Sequence, residues 1–282
     1  FSISKAAWTF AVYIAGDNNL EYYGILDMLE MAMVGTTPEM NIVVQFDRAE
    51  GYDTSLDNWT EAKRFLVTEG MVPTNESAYE DLGEVDMGDV VTLTDFAVDT
   101  FGRFGADRTC LVLWDHGMNW HGGCCRDMAS ANDSLKTDEM RAALGAAVEV
   151  IGGRVDIVGF DACLMASLEV GYSFKELVVD FVAPESTEPG TGWPYDSILM
   201  PLRENPSMGS DELASRVVSE YVQEYVDGWV NCMAAFRVDL LSTTVKDALT
   251  EFADSLMAED DKYYGHISAA RSAVDTLERI PG

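Results

Sequence analysis

Basic residues are scarce in this sequence: 18 lysines and arginines stand against 49 aspartates and glutamates in 282 residues, and the formal net charge is −31 at pH 7. A surface of this charge repels phosphate groups, which argues against nucleic acids and anionic membrane surfaces as partners. The same charge favours cationic substrates and divalent cations.

Long apolar runs are missing, and cysteines are few. No uninterrupted apolar run approaches the roughly 18 residues of a membrane span. Five cysteines are too few for a disulfide framework, and the odd number leaves at least one unpaired within the chain. Cys110 and Cys232 lie in apolar, strand-like runs, and we interpret both as buried small hydrophobic residues. The chain starts at Phe1, so we expect any targeting segment to lie outside it.

Strand-like apolar runs alternate with helical patterns along the chain. Several of the runs are apolar on both faces, which is typical of a parallel sheet covered by helices on each side. This order predicts an α/β fold, a three-layer αβα sandwich with a mainly parallel central sheet, in one domain over residues 1–282. The predicted strands are Thr9–Ala15, Met40–Phe46, Arg64–Thr68, Thr109–Trp114, Val155–Phe160, Phe181–Ala183 and Met233–Val238. After a helix through Ile25 and Ala32, the predicted helices are Val90–Phe104, Thr137–Val150, Leu164–Val179, Asp211–Val226, Ser242–Met257 and His266–Arg279.

Reactive side chains follow the two strongest predicted strands. His116 comes two residues after Thr109–Trp114, and Cys163 comes three residues after Val155–Phe160. Ligands bind beyond the carboxyl ends of the strands in open α/β sheets, so neighbouring strands would bring these two side chains together. The predicted helix Leu164–Val179 would place the thiol at a helix N-terminus, where the dipole and an imidazolium stabilise a thiolate. This pattern predicts a cysteine nucleophile paired with a histidine.

Asp161 precedes the thiol by two residues and admits two interpretations from the residues alone. It could cap the following helix, a role that aspartate fills well. It could instead bind a cationic substrate side chain, because a guanidinium or ammonium group needs a carboxylate at the base of its pocket.

Five strings carry a family resemblance, in this order along the chain: Ala15-Gly16-Asp17-Asn18-Asn19-Leu20, Gly83-Glu84-Val85-Asp86-Met87-Gly88, Trp114-Asp115-His116-Gly117, Phe160-Asp161-Ala162-Cys163-Leu164-Met165 and Glu188-Pro189-Gly190-Thr191-Gly192-Trp193. Together they resemble the clostripain family of cysteine peptidases over residues 8 to 200. The resemblance implies the caspase-type fold shared with legumain, gingipain and separase, and cleavage of peptides or proteins after Arg or Lys. Because clostripain relatives usually continue further, we expect that the C-terminus is truncated.

The resemblance also implies roles for individual residues. Cys163 becomes the nucleophile, His116 the general acid/base, and Asp161 part of an acidic pocket for the basic side chain before the cut bond (P1). Further candidates for this pocket are Glu188, Trp193 and Asp196. The backbone N–H groups of Gly117 and Cys163 are candidates for the oxyanion hole, and the missing side chain of Gly117 would let a scissile carbonyl approach.

Residues 121–136 lie between the two catalytic strands and are rich in Gly, Ser, Asn and Asp. Such composition predicts an exposed, mobile loop that is easily nicked. Several family members are activated by self-cleavage between these strands, so we expect self-cleavage here after Arg126 or Lys136. Arg126 is favoured because Lys136 adjoins the next predicted helix. The resemblance implies a secreted or cell-surface protein of bacterial type, whose signal segment we expect to lie outside this sequence.

Metal binding is a competing interpretation of two segments. His116, His121, Cys124 and Cys125 could form a zinc site, but their spacing matches no common zinc motif. The adjacent cysteines could instead form a disulfide or remain free. The Asp17-Asn18-Asn19 string resembles part of a calcium loop, although a turn that caps the next helix is the plainer interpretation. We expect no required cofactor; calcium dependence occurs in the clostripain family, so calcium stays open without assigned ligands. A catalytically silent caspase-fold binding protein and a metal-binding α/β domain are the alternative functions.

Overall fold

The computed structural model of the protein describes residues 5–226, 232–258 and 260–274. Eight strands form one sheet in the order β10-β9-β8-β5-β1-β2-β3-β4. The strands are β1 (Ala6–Gly16), β2 (Met40–Arg48), β3 (Ala62–Leu66), β4 (Glu80–Gly83), β5 (Ala106–Trp114), β8 (Val155–Asp161), β9 (Val178–Pro184) and β10 (Met233–Arg237), while β6 (Cys124–Asp127) and β7 (Asp133–Leu135) form a separate hairpin.

The five central strands run parallel, and antiparallel strands close both edges of the sheet. The α/β prediction of a mainly parallel sheet is therefore confirmed. Alternate residues of β1 enter the two cores on either side of the sheet: Phe10 and Val12 face one core, and Ala11 and Tyr13 face the other. This is the physical reason that the central strands are apolar on both faces.

Helices cover both faces of the sheet. They are α1 (Glu21–Val34), α2 (Val90–Arg103), α3 (Asn119–Gly122), α4 (Thr137–Ile151), α5 (Leu168–Ser173), α6 (Tyr195–Glu204), α7 (Ser210–Glu224), α8 (Val238–Leu240), α9 (Lys246–Ala258) and α10 (Asp260–Ser272). Apolar residues of α1, α6 and α7 fill one core, and those of α2, α4 and α5 fill the other. Within the described residues, no helix has both the length and the apolar character needed to cross a membrane.

The predicted helix Leu164–Val179 is wrong over most of its length, because only α5 is helical and Val178 already belongs to β9. Leu164 has a left-handed φ of 67°. The backbone N–H groups of Leu164 and Ala166 donate to the carbonyls of Ser186 and Pro184, 2.9 Å away in each case, so this stretch pairs with the chain leaving β9. Ser167 then caps α5 by accepting from the N–H of Val170.

Other sequence predictions differ in detail. Helix α6, strand β4 and the β6–β7 hairpin were not predicted. The last predicted helix, His266–Arg279, overlaps α10, and its residues 275–279 lie outside the described residues. Cys110 is buried as predicted, whereas Cys232 is only partly buried and its thiol lies 3.0 Å from a carboxylate oxygen of Glu185. The prediction of a core role for Cys232 is therefore wrong, since the residue precedes β10 instead of lying inside it.

Candidate active site

The register between β5 and β8 brings the two predicted catalytic segments together. Trp114 and Asp161 are opposite residues at the carboxyl ends of these neighbouring parallel strands. The backbone N–H of Asp115 donates to the carbonyl of Asp161 at 3.1 Å, which holds the two strand ends side by side. His116 and Cys163 each lie two residues beyond the Trp114–Asp161 pair. The strands are thus neighbours, which is the condition under which the sequence analysis expected the two side chains to come together.

A cavity of about 260 Å³ opens at this edge of the sheet. His116, Cys163 and Asp161 all contribute to its wall. The remaining lining residues are Leu20, Trp114, Asp115, Thr187, Glu188, Pro189, Gly190 and Gly192. An imidazole, a thiol and a buried carboxylate thus border the same enclosed space.

His116 is held at the edge of the cavity by Asn19, a residue of the Ala15–Leu20 string to which the sequence analysis gave no role beside His116. The side-chain oxygen of Asn19, in the turn after β1, lies 3.0 Å from Nε2 of His116. Because this oxygen accepts a hydrogen bond, Nε2 carries the proton of the neutral ring, and Nδ1 is the nitrogen that can accept a proton. Burial, and secondarily the charge of Arg126, lower the pKa of His116, so the ring is neutral and able to act as a base near pH 7.

Cys163 is partly buried, and its sulfur accepts a hydrogen bond from the backbone N–H of Glu188 at 3.3 Å. Burial raises the pKa of the Cys163 thiol, and the Glu188 N–H offsets part of this increase. The expected stabilisation of a thiolate by a following helix is wrong, because α5 begins only at Leu168. The resting group is therefore a thiol, which must transfer its proton before it can act as a nucleophile.

Asp161 ends β8 and is almost fully buried, with 4% of its surface exposed. One oxygen accepts from the backbone N–H of Trp193 at 3.1 Å and from the hydroxyl of Tyr195 at 2.9 Å. Burial raises the pKa of Asp161 to about 7, although both hydrogen bonds oppose this increase. Helix capping by Asp161 is excluded, since Ser167 caps α5.

The other three pocket candidates have different surroundings. Glu188 lines the cavity, and both of its carboxylate oxygens are buried without a hydrogen-bond partner among the described residues. The Trp193 side chain is fully buried behind the cavity against Gly159, and only its backbone N–H reaches Asp161. Asp196 does not line the cavity; its carboxylate accepts from the N–H of Ser197 at 2.7 Å in the first turn of α6.

Two glycines permit close approaches that a side chain would block. A Cβ added to Gly117 would overlap the carbonyl oxygen of Cys163 and lie 2.9 Å from its nitrogen. A Cβ added to Gly192 would lie 2.5 Å from a carboxylate oxygen of Asp161. Gly117 thus packs directly on the backbone of Cys163, which is where the sequence analysis places the oxyanion hole.

Residues 121–136 are not the continuous loop that the sequence predicted. They contain the β6–β7 hairpin, whose exposed connection is residues 128–132. Asn18 and Asp115 hold Arg126 by its backbone: Asn18 donates to the Arg126 carbonyl at 3.0 Å, and the Arg126 N–H donates to Asp115. Lys136 is the N-cap of α4, as its position beside the predicted helix implied. The local sequence did not indicate the hairpin, because Gly, Asn and Asp are depleted in strands.

The residues of the zinc hypothesis have different surroundings. Cys124 and Cys125 are buried free thiols with their sulfurs 3.6 Å apart, and Cys124 packs on Met140. His121 is exposed and stacks on the ring of Trp120. Over the residues that the structure describes, these side chains form no group able to hold a metal ion.

Comparison with known proteins identifies the family. The sequence profile of the clostripain family matches residues 12–275. The chain belongs to the clostripain family of cysteine peptidases. It is 24% identical over 218 residues to clostripain of Hathewaya histolytica, a match that covers 68% of this chain and 41% of clostripain. The chain thus corresponds to about two fifths of the length of that relative.

Solved structures of the family share the fold. A secreted C11 cysteine protease from Bacteroides thetaiotaomicron, in complex with an irreversible peptide inhibitor, superimposes with a TM-score of 0.67 at 22% identity and covers 84% of this chain and 68% of that one. An inactive zymogen C11 protease from Parabacteroides distasonis gives 0.64 at 19% identity, with 85% and 64% covered. The caspase-like architecture predicted from the sequence is confirmed.

Proposed function

We propose that this member of the clostripain family is a secreted cysteine endopeptidase that cleaves peptide bonds after Arg or Lys, with Cys163 as nucleophile and His116 as general base. One observation carries the proposal: the thiol, the imidazole and the buried carboxylate of Asp161 border the same cavity. Family membership and the similarity to clostripain support it. The secreted neighbour from Bacteroides thetaiotaomicron supports the location.

The cavity suits a cationic P1 side chain. Asp161 lies in its wall, and Glu188 adds a second carboxylate whose oxygens have no partner among the described residues. A buried carboxylate without a partner is costly, and an entering guanidinium or ammonium group relieves that cost through charge-assisted hydrogen bonds. Tyr195 and the Trp193 N–H hold one oxygen of Asp161 and so fix the carboxylate for this contact.

The chemistry follows from the states of the two reacting groups. With the P1 side chain bound, His116 accepts the thiol proton at Nδ1, and the sulfur of Cys163 attacks the scissile carbonyl carbon. The N–H groups of Gly117 and Cys163 stabilise the oxyanion. His116 then gives the proton to the leaving amine, and a water molecule hydrolyses the thioester under the same base. A neutral thiol at rest limits side reactions until substrate fills the cavity.

Self-cleavage within residues 121–136 is the second part of the proposal, and the neighbour described as an inactive zymogen supports it. Arg126 and Lys136 are the two basic residues of this segment. The carbonyl of Arg126 is bonded to Asn18, and that of Lys136 to the N–H of Met140 in α4. Cleavage after Arg126 therefore requires β6 to leave the hairpin, and cleavage after Lys136 requires the first turn of α4 to unwind; of the two, we place the cut after Arg126.

The test is a scan of fluorogenic peptides that differ only at P1, applied to the wild-type chain and to Cys163→Ala and His116→Ala variants. We expect cleavage after Arg and Lys by the wild type and none by either variant, with unchanged circular dichroism. A peptide bearing a thiol-reactive group after Arg should label wild type and spare Cys163→Ala. Turnover by a folded Cys163→Ala protein, or a wild type that neither cleaves nor is labelled, would refute the proposal.

A further inference from the structure

A second group of carboxylates lies outside the cavity at the same edge of the sheet. It consists of Asp17 after β1, Asp47 in β2, Glu84 after β4 and Asp127 at the end of β6. One oxygen from each residue lies within 4.8 Å of the others. The fold therefore collects four acidic groups from four separate chain segments.

The surroundings of Asp47 show that, among the described residues, no positively charged side chain neutralises this group. It is fully buried in β2, and neither carboxylate oxygen has a hydrogen-bond partner of normal geometry among the described residues. Burial raises the pKa of Asp47, the charges of Glu84, Asp127 and Asp17 raise it further, and the adjacent Arg48 N–H opposes this only weakly. In the described part of the chain, no lysine or arginine forms an ion pair with any of the four.

Hydrogen bonds fix two of the other carboxylates without using up their oxygens. Asp127 accepts from the N–H groups of Met87 at 2.9 Å and Ser130 at 2.7 Å. Asp17 accepts from the N–H of Ala129 at 3.1 Å. A carboxylate offers about four lone pairs, so each keeps capacity for a further ligand. The oxygens are thus positioned by the backbone as a bound cation requires.

We propose that Asp17, Asp47, Glu84 and Asp127 bind one divalent cation of the size of calcium. Ca²⁺ takes oxygen ligands at about 2.3–2.6 Å, so ligands on opposite sides of the ion are separated by about 4.6–5.2 Å. The four oxygens all lie within 4.8 Å of one another, so a single ion can contact all of them. Mg²⁺ usually keeps several waters and is held by only one or two carboxylates, so a set of four protein carboxylates favours Ca²⁺.

The cation would tie together the two segments that position His116. Asp17 directly precedes Asn18 and Asn19; Asn18 donates to Asp115 at 2.7 Å, and Asn19 contacts His116. Asp127 directly follows Arg126, whose N–H donates to Asp115. The bound ion would relieve the repulsion among the four carboxylates and hold the turn after β1 against the hairpin. The four ligands are therefore positioning residues for the proposed peptidase.

The test measures binding in the full chain carrying Cys163→Ala, which prevents self-cleavage. We expect calorimetry to show one Ca²⁺ site and Ca²⁺ to raise the melting temperature, with a weaker effect of Mg²⁺. Asp47→Asn should weaken Ca²⁺ binding by about tenfold or more, because the charge of the ligand set tunes affinity over orders of magnitude. In EGTA, which removes Ca²⁺, the melting temperature of the Asp47→Asn variant should equal or exceed that of the parent Cys163→Ala chain, because the substitution relieves repulsion among the carboxylates.

Two further variants control for folding and for general loss of charge. Glu84 is exposed, so Glu84→Gln should fold normally and still lose the Ca²⁺ response. Asp86 is the control for loss of charge: its carboxylate accepts from the Gly88 N–H and is outside the group. The Asp86→Asn variant should therefore keep the Ca²⁺ response.

Absence of Ca²⁺ binding, an equal response to Mg²⁺, or a full response in Glu84→Gln would overturn the proposal. These readouts do not depend on proteolysis, so their failure is distinguishable from failure of the proposed function.

Discussion

Replacement of Asp161 by Asn should remove the preference for basic P1 residues. The substitution keeps the size and burial of the side chain but leaves a bound guanidinium facing a neutral amide. A hydrogen bond to a charged group contributes about 1.5–3 kcal/mol. The kcat/KM for an Arg substrate should therefore fall about ten- to a hundredfold, at a factor of ten per 1.36 kcal/mol.

The pH dependence of the wild type gives an independent measure of the same charge. Burial raises the pKa of Asp161 to about 7, so roughly nine tenths of the free enzyme is ionised at pH 8 and roughly one tenth at pH 6. Because kcat/KM reports the free enzyme, selectivity for Arg should fall about ninefold between these values. Glu30, whose pKa is itself raised to about 7, mainly by burial, is the nearby acidic group that adds to the increase at Asp161.

The assay compares kcat/KM for two peptides that differ only in Arg or citrulline at P1. Titration of the His116–Cys163 pair changes both rates equally and cancels in their ratio. The ratio should rise from pH 6 to pH 8 in the wild type and be lower throughout this range in Asp161→Asn, where Glu188 is left to face the P1 side chain. Asp196→Asn is the matched control, because Asp196 does not line the cavity; its ratio should follow the wild type.

The melting temperature of Asp161→Asn separates a local effect on substrate binding from misfolding of the variant. The folded-state pKa of Asp161 lies above its ordinary value of 3.8, so ionisation costs folding free energy as the pH rises from about 4 through 7. Asp161→Asn removes this cost and should melt at or above the wild type at pH 8. A folded Asp161→Asn enzyme with the wild-type ratio, or a wild-type ratio that does not change with pH, would refute the role of Asp161.

Three further predictions test the rest of the site. Asn19→Ala should lower kcat more than it raises KM, because Asn19 fixes the His116 ring. The alkaline or acidic limb of the pH profile of activity should also shift, and an unchanged profile would contradict this role. Gly117→Ala should abolish activity and reduce thermal stability, since the added methyl overlaps the Cys163 carbonyl, and a fully active variant would exclude that packing. On a denaturing gel, wild type should show two fragments cut after Arg126 that remain associated, while Cys163→Ala stays intact; a nicked Cys163→Ala chain would indicate another protease.

Much of the fold was predictable because its signals are local. The runs Thr9–Ala15, Thr109–Trp114 and Val155–Phe160 are apolar on both faces, which is typical of strands in a parallel sheet covered by helices on each side. His116 and Cys163 follow the last two of these runs, and the carboxyl-end rule predicts that they come together if the strands are neighbours. In the structure these strands are neighbours, with Trp114 opposite Asp161.

The errors occurred where local propensity competes with pairing at a distance. Residues 164–179 have helical periodicity, yet the N–H groups of Leu164 and Ala166 find carbonyls after β9 and the helix shrinks to α5. Residues 121–136 have a loop composition, yet Asn18 and Asp115 hold them as a hairpin. In both segments, partners more than ten residues away satisfy backbone groups that the local sequence leaves open.

The sequence by itself determined which residue types stand at the strand ends: the thiol, the imidazole and the excess of carboxylates. Only the tertiary structure decided the protonation states of these groups and which other groups lie beside them. Burial turns the expected thiolate of Cys163 into a thiol and raises the pKa of Asp161 to about 7. Packing gathers Asp17, Asp47, Glu84 and Asp127 from distant segments. Burial and proximity are properties of the folded chain as a whole, so no local pattern of residues encodes them.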